Sequence, residues 1–201
     1  MAVVDRASSA REAKRLQTRE RLMGAAIAEF KRFGIASADV GAIVSAAGVA
    51  HGTFFFHFPT KEHVLLELER REEERIAKQL ARFTSTGRDL VSTLKEAVRL
   101  VMALERRFGP ALFKDFLALH FSPTRPPADE GGQHPVIVEV ARAIEGGRLS
   151  GEVEPTVTPM NSAVFFLLGL YALLTTTHGW PNRDALIDDY VTTTLRGTLA
   201  K

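Results

Sequence analysis

The stretch from Asp39 to Glu62 constrains the fold of this chain more than any other part of the sequence. Asp39 is suited to cap the start of a helix, with Ser37 as the competing choice. Gly48 comes where that helix would end, and glycine adopts the positive φ of a helix end most easily. Between them, apolar side chains recur at the i, i+3, i+4, i+7 spacing of one helix face: Val40, Ile43, Val44 and Ala47.

A second short helix is predicted from about Ala50 to His57, and Pro59 stops it. Two short helices joined by a glycine turn have the form of a DNA-reading helix-turn-helix, in which the second helix enters the major groove. Phe54 and Phe58 are four residues apart, so they share a face that fixes this helix to its neighbours. Phe55 and Phe56 must then point toward solvent or a ligand, such as the methyl group of a thymine.

The candidate DNA contacts divide into two groups. Short polar groups, a glycine that permits close approach and one exposed aromatic ring are predicted to read bases: His51, Gly52, Thr53 and Phe55. Basic or hydroxyl side chains near the second helix, at the start of the next helix and in the basic first segment are predicted to bind phosphates: His57, Thr60, Lys61, Arg15 and Arg19.

These residues together resemble the tetracycline-repressor (TetR) family of bacterial transcriptional regulators, over roughly Thr18 to Leu66. The matching positions are Phe30, Gly34, Val40, Ile43, Ala47-Gly48-Val49, Gly52-Thr53-Phe54-Phe55, His57-Phe58 and Lys61-Glu62. Phe55 stands where the family usually has tyrosine, and Ala50 where a serine cap is common, so two hydroxyls of the family are absent. The resemblance implies an all-helical, two-part, dimeric regulator that binds DNA and senses small molecules in its body.

Composition sets wider bounds. Of the 201 residues, 45% are hydrophobic, which excludes wholesale disorder, and the absence of cysteine excludes disulfides and thiolate metal sites. No secretory signal is visible, and the apolar run Ala163 to Leu174 is shorter than the ~20 residues a bilayer requires. We therefore expect a cytoplasmic protein without a membrane partner, and the resemblance implies that it is bacterial. The net charge is +2, but residues 1–34 carry +4, so the positive end is the one with the helix-turn-helix.

The periodicity predicts an all-α fold of about nine helices. We expect a flexible basic arm over residues 1–14, a helix-turn-helix domain over 15–59 and a helical ligand-binding and dimerisation body over 60–201. The predicted helices cover residues 15–33, 40–47, 50–57, 60–83, 89–107, 110–121, 135–144, 159–178 and 184–199, with a Pro- and Gly-rich loop over 122–134. The charged run from Glu69 to Arg75 is interpreted as a solvated helix face.

The sequence shows no catalytic set, because nucleophile, phosphate-loop and zinc-protease motifs are all absent. His51, His57 and His63 are six residues apart and do not share a helix face, so we predict no metal site there. No cofactor is expected, and we predict that the chain is not an enzyme.

The aromatic residues of the body have two interpretations. They either fill an ordinary core or line a cavity for a small, mainly apolar effector, and the resemblance favours a cavity. The candidate effector pocket joins the aromatics to a few polar groups: Phe108, Phe113, Phe116, His120, Asn161, Phe165, Tyr171 and Thr175.

The predicted partners are a palindromic double-stranded DNA operator, a small-molecule effector and a second copy of the chain. The last two helices are expected to form the homodimer through Phe166, Leu170, Leu174, Leu186 and Tyr190. The resulting hypothesis is a repressor that the effector releases from its operator. The alternative is a small-molecule binding or scaffold protein of the same fold that has lost sequence-specific DNA recognition.

Overall fold

The computed structural model describes residues 2–122 and 134–200, and this part of the chain is helical apart from turns, short connections and one isolated β-bridge between Val153 and Leu199. Its helices are α1 (Ala2–Ser37), α2 (Val40–Ala47), α3 (His51–His57), α4 (Lys61–Thr84), α5 (Leu90–His120), α6 (Pro135–Ser150), α7 (Pro159–Thr176) and α8 (Arg183–Arg196). The predicted all-α class is confirmed. The described part has eight helices rather than nine because the two helices expected over 89–121 form one element, broken at Gly109 (φ 75°, ψ 167°). Residues 123–133 of the expected loop lie outside the described residues.

Two compact units can be distinguished. The first, the head unit, comprises residues 1–68 and 111–126, and the second, the body unit, comprises residues 69–110 and 127–201. The division falls inside α4 and near the break in α5 rather than at Pro59, where the sequence suggested a boundary.

The core of the head unit is made by α1, α2, α3, the start of α4 and the second half of α5. Its buried side chains include Leu22, Ala26, Phe30, Ile43, Ala47, Phe54, Phe58, Val64, Leu65, Leu112 and Phe116. Gly34 (φ 73°, ψ 165°) breaks α1, so the N–H of Ile35 cannot continue the helical ladder. The carboxylate of Asp115 accepts that N–H at 2.6 Å, which ties α5 to the end of α1.

The segment expected to be a flexible arm is helical instead. Residues 2–14 form the beginning of α1, and from residue 10 to residue 17 the side chains are exposed. Alanine, arginine, glutamate and lysine, which are common in this segment, are good helix formers, so local propensity accounts for a helix that the absence of apolar periodicity did not reveal.

The core of the body unit lies between α7 and its neighbours. α7 packs against α6 and α8, and the buried apolar residues of this unit include Phe166, Leu167 and Leu170 of α7, Ile144 of α6 and Leu104 of α5. A salt bridge between Arg183 and Glu105, with N–O distance 2.6 Å, joins α8 to α5, and the same guanidinium donates to the carbonyl of Leu174 at 3.2 Å. Three helices are thereby fixed by one side chain.

Two helices of the body differ from expectation. α6 continues through Gly146 and Gly147, which were expected to end it, and stops at Gly151 (φ 82°), whose N–H bonds back to the helix. α7 is 18 residues long and, by length and composition alone, apolar enough to cross a membrane. Core helices meet the same criteria, and one side of α7 is packed in the body core.

Candidate nucleic-acid interface

The structure forms the helix-turn-helix that the sequence predicted. Asp39 caps α2 by accepting the N–H groups of Gly41 (2.9 Å) and Ala42 (3.1 Å). Gly48 ends α2 in the left-handed region (φ 64°), and the axis of α3 turns by 95° from that of α2. This angle and the three-residue connection are those of DNA-binding helix-turn-helix motifs.

The second helix, α3, is anchored by its aromatic residues and by α1. Phe54 and Phe58 are fully buried, with ring centroids 6.0 Å apart. The guanidinium of Arg19 lies 4.1 Å from the ring centroid of Phe58 and donates a hydrogen bond to the carbonyl of His57 at the end of α3. It also lies 3.8 Å from a carboxylate oxygen of Glu67. α3 is therefore held at both its buried face and its C-terminal end.

These contacts bear on two predicted DNA contacts. Arg19 is engaged within the head, where it supports α3. The side chain of His57 is only 8% exposed, so it cannot reach DNA in this conformation. Burial, together with the charges of Arg19 and Arg15, lowers the pKa of His57 below 6.5 and favours a neutral imidazole. The sequence did not reveal these roles because both depend on contacts between α1 and α3.

The opposite side of α3 faces solvent. His51 and Gly52 are exposed, Thr53 is half-buried, and Phe55 is 48% exposed. Phe56, which we did not include among the DNA contacts, is 75% exposed. The rings of His51 and Phe55 are 5.7 Å apart and form one surface. The exposure of Phe56 could have been predicted from the sequence. Phe54 and Phe58 define the buried face of the helix, and Phe56 does not lie on that face.

The groups at the start of α4 are arranged differently from the prediction. Thr60 is exposed, as a phosphate contact requires, and its hydroxyl lies 3.0 Å from Nδ1 of His63. The ammonium of Lys61 donates to the carbonyls of Ala36 and Ala38, each at 3.1 Å. Two of its three N–H groups thus close the connection between α1 and α2, which leaves one for DNA.

Basic side chains of α1 supply exposed positive charge. Arg15 is exposed and paired with Glu12 at 2.7 Å. Arg21 is also exposed, and its guanidinium lies 4.0 Å from the position that a Cβ on Gly48 would occupy. Arg21 therefore brings a cation to the turn of the helix-turn-helix, a position that its place in the sequence did not indicate.

Comparison with known proteins agrees with this geometry. The sequence model described as "Bacterial regulatory proteins, tetR family" matches residues 22–68, the segment that contains α2, α3 and the start of α4. The DNA-binding segment of this chain is therefore similar to that of TetR-family regulators. The match covers the part of the head that has the DNA-binding geometry.

The curated proteins to which this chain is similar are described as regulators or receptors. It is 28% identical over 161 residues to the "A-factor receptor protein" of Streptomyces griseus, covering 77% of this chain and 52% of that protein. The chain thus spans about half the length of that relative. It is 27% identical over 161 residues to the "HTH-type transcriptional regulator UidR" of Escherichia coli K12, covering 78% and 80% of the two chains.

Solved structures show the same fold. Thermus thermophilus FadR, a TetR-family repressor solved in complex with lauroyl-CoA, has a TM-score of 0.67 at 22% identity, covering 89% of this chain and 91% of that one. Bacillus subtilis FadR, solved with stearoyl-CoA, has a TM-score of 0.69 at 16% identity, covering 89% and 98%. At these identities the likeness extends to the fold alone.

The predicted effector residues are divided between the two units. Phe113 and Phe116 are buried in the head unit with stacked rings, and His120 is half-buried there. Phe108 is buried in the body unit, and Tyr171 is partly enclosed there. The remaining three are corrections, because they are exposed on α7 and line no enclosed space within the described body unit: Asn161, Phe165 and Thr175.

The predicted dimer residues also need correction. Phe166, Leu170 and Leu174 are buried within the body unit and are not available to a partner. Leu186 is half-buried. Tyr190 stacks on Phe166, with ring centroids 5.9 Å apart, and donates its hydroxyl to the carbonyl of Phe166 at 2.6 Å, so it joins α8 to α7. The exposed apolar face of α7 is instead formed by Met160, Phe165 and Leu168.

The charged run on α4 is not wholly a solvated face, contrary to our interpretation. Glu69 is 2% exposed and Glu73 is also buried, whereas Arg70 lies on the surface. A carboxylate oxygen of Glu73 lies 3.0 Å from Nδ1 of His134. Burial and the charges of Glu73 and Glu69 raise the pKa of the Tyr171 phenol, so α7 faces the same polar cluster.

Proposed function

We propose that this protein is a TetR-family transcriptional repressor in the bacterial cytoplasm, which binds a palindromic operator as a homodimer and is released by a small, mainly apolar effector. The observation that carries the DNA-binding part is the two-sided construction of α3. Phe54 and Phe58 fix one side in the head core, while His51, Gly52 and Phe55 are presented to solvent. A helix fixed in this way can place its exposed side chains against base edges without losing much conformational entropy.

The exposed face of α3 favours a particular mode of sequence reading. Phe55 and Phe56 have no hydrogen-bonding group, so they discriminate through apolar contact with thymine methyl groups. His51 and Thr53 supply the polar contacts, and Gly52 allows close approach of the backbone. We infer that the operator half-site contains thymine where the aromatic pair meets the major groove.

Phosphate binding falls to groups around this helix. We propose Thr60, Arg15, Arg21 and the remaining N–H of Lys61 as the contacts, and we assign Arg19 and His57 to the support of α3. Such contacts make affinity salt-dependent, with a loss of roughly one unit of slope for each lysine or arginine contact removed.

The test of DNA binding is a fluorescence anisotropy titration of the full chain with its own upstream DNA, over a range of salt concentrations and with random DNA as control. Preferential binding to a palindrome is expected. Phe55→Ala should weaken that binding by about tenfold or more, because burial of a phenylalanine side chain contributes ~1.5–3 kcal/mol, without altering binding to random DNA. Phe33→Ala, which removes a half-exposed ring of α1, is the matched control and should change neither.

Equal and weak binding to both DNAs, with no palindrome enriched from a random DNA pool, would overturn this proposal. The result would favour the alternative of a binding or scaffold protein that has lost DNA recognition.

We propose that the dimer forms through the exposed apolar face of α7. Phe165 is 70% exposed and Leu168 is half-exposed, on a helix whose other side is packed in the body core. A large exposed apolar face is typical of an interface. A homodimer of this kind presents two heads to half-sites about 34–36 Å apart.

The body unit is the proposed site of effector binding. Phe108 and the apolar residues of α7 provide an apolar environment, and Tyr171 provides a phenol that can hydrogen-bond to a ligand. The complexes of the FadR proteins with lauroyl-CoA and stearoyl-CoA give a chemical class to try first. Acyl-CoAs, free fatty acids and aromatic compounds should be screened by thermal shift, and positives by release of the operator.

Release requires an effector that binds the DNA-incompetent state more tightly than the DNA-competent state. We infer that α4 is the element that moves. A compound that raises the melting temperature but leaves operator affinity unchanged is a ligand and not an inducer. Repression itself is tested by transcription from the operator-bearing promoter in cells with and without the protein, where removal should raise transcription.

A further inference from the structure

The body unit contains a compact set of side chains that are ligands for metal ions in other proteins. One carboxylate oxygen of Glu69, one of Glu73 and one ring nitrogen of His134 lie within 4.8 Å of one another. Glu69 and Glu73 are four residues apart on α4, so they project from the same face of the helix. His134 approaches from the residue that precedes α6. Two helices are therefore arranged to bring three donor atoms to one point.

We propose that Glu69, Glu73 and His134 form a binding site for a divalent transition-metal ion. The donor atoms of a four- to six-coordinate ion bound at about 2.0–2.2 Å lie roughly 3–4 Å apart. The oxygen of Glu73 and the nitrogen of His134 are already 3.0 Å apart. Small side-chain rotations are enough to complete the set.

The surroundings favour a cation at this place. Burial of two neighbouring carboxylates is costly, and a bound divalent ion offsets their charge in an interior where Coulombic interactions are strong. The pKa of Tyr171 is raised first by burial and then by the charges of Glu73 and Glu69, which indicates that the phenol lies in the field of both carboxylates.

The donor set defines the class of metal. Two carboxylates and one imidazole suit Zn²⁺, Mn²⁺, Fe²⁺, Co²⁺ and Ni²⁺. Mg²⁺ and Ca²⁺ prefer sites made wholly of oxygen, so they should bind much more weakly. The proposal does not depend on DNA binding, because every readout below is metal binding to the protein itself.

The test uses the full chain without a histidine tag, stripped of metal with a chelator. Titration with Zn²⁺ is followed by calorimetry, and titration with Co²⁺ by its visible absorption. We expect one equivalent per chain and a rise in melting temperature, with no comparable effect of Mg²⁺. Each of three ligand variants should weaken metal binding by about 100-fold or more: Glu69→Gln, Glu73→Gln and His134→Gln. Loss of a group that only hydrogen-bonds to a metal ligand weakens binding by about 10- to 100-fold, so loss of a ligand itself should cost at least as much.

Two controls match these variants. Glu74→Gln changes the carboxylate next to Glu73, but that group is paired at 2.6 Å with Arg70. His178→Gln changes a histidine of the body that is more than half exposed. Neither variant should alter the affinity. Melting of each variant in chelator establishes that it is folded before metal is added.

Absence of saturable Zn²⁺ and Co²⁺ binding by the wild-type chain would overturn the proposal and leave a buried hydrogen-bonded cluster only. Binding that the three ligand variants do not weaken would overturn it as well, since the ion would then lie elsewhere. Equal affinity for Mg²⁺ would contradict the donor set that defines the site.

Discussion

Replacement of Gly169 by alanine should destabilise the body unit, although glycine in a helix is usually replaced by alanine with a gain in stability. A Cβ at Gly169 would lie 2.5 Å from the hydroxyl oxygen of Tyr190 and 2.8 Å from two of its ring carbons. Real Cβ atoms essentially never approach other atoms so closely. Tyr190 would therefore have to move and weaken its 2.6 Å hydrogen bond to the carbonyl of Phe166.

The magnitude follows from three opposing contributions. Alanine gains about 1 kcal/mol of helix propensity, overpacking costs roughly 1–3 kcal/mol, and a weakened hydrogen bond costs about 1 kcal/mol. The net effect on the free energy of unfolding is a loss of about 2 kcal/mol. For a chain of this length the melting temperature should fall by ~4–8 °C.

The assay is thermal unfolding followed by circular dichroism, with Gly146→Ala as the matched control. Gly146 also lies inside a helix of the body unit, but a Cβ there would have no atom within 4 Å. This control should raise the melting temperature by ~2–4 °C. In a Tyr190→Ala background Gly169→Ala should become stabilising as well. A rise in melting temperature for Gly169→Ala in the wild-type background, equal to that of Gly146→Ala, would refute the reasoning.

Three further predictions concern the head and the interface. Asp115→Ala should lower the free energy of unfolding by about 1–2 kcal/mol, because the N–H of Ile35 loses its acceptor, and Asp115→Asn should lose less; equal denaturant midpoints for the two would contradict this. Burial lowers the pKa of His57 below 6.5 in the folded chain. As the pH falls, the unfolded chain therefore binds a proton at this residue before the folded chain does. The free energy of unfolding should therefore fall as the pH drops below 6.5, and it should fall more steeply than in His57→Asn. Parallel pH profiles for the wild-type chain and this variant would contradict a lowered pKa of His57. Phe165→Arg should give monomers in light scattering at unchanged helicity, as should Leu168→Arg; intact dimers would place the interface elsewhere.

The helix-turn-helix could be predicted in detail because its signals act on adjacent residues. Asp39 bonds to N–H groups two and three residues away, Gly48 supplies one backbone conformation, and Pro59 stops one helix. Each of these effects is complete within a turn of helix. The structure confirms the bounds of α2 as expected, and those of α3 within one residue.

The roles of Arg19 and His57 could not be predicted because they depend on packing between distant residues. Both are polar and lie near the recognition helix in the sequence, which suggested phosphate contact. In the structure the Arg19 guanidinium is directed to the carbonyl of His57 and the ring of Phe58. Arg19 and His57 are 38 residues apart in the sequence. No local sequence pattern shows whether such residues contact each other or contact DNA.

The orientation of α7 was predicted incorrectly for a related reason. A helix that is apolar on nearly all sides does not indicate which side is buried, since hydropathy cannot distinguish Phe165 from Phe166. Tertiary contacts determine which side of α7 is buried. One of them is the hydrogen bond that the Tyr190 hydroxyl donates to the carbonyl of Phe166. The sequence therefore predicted an interface through residues of α7 that the chain itself buries.

The buried carboxylates of α4 did leave a signal in the sequence, although we interpreted it as solvation. Leu65 and Leu80 mark the apolar stripe of this helix, and steps of four residues from Leu65 lead to Glu69, Glu73 and Ala77. A stripe that continues through glutamates places them in the core, where they need hydrogen bonds, a proton or a cation. His134 is brought to them by the start of α6, which no local pattern could indicate. Charged residues on the apolar stripe of an amphipathic helix are thus better treated as buried groups with specific partners than as part of a solvated face.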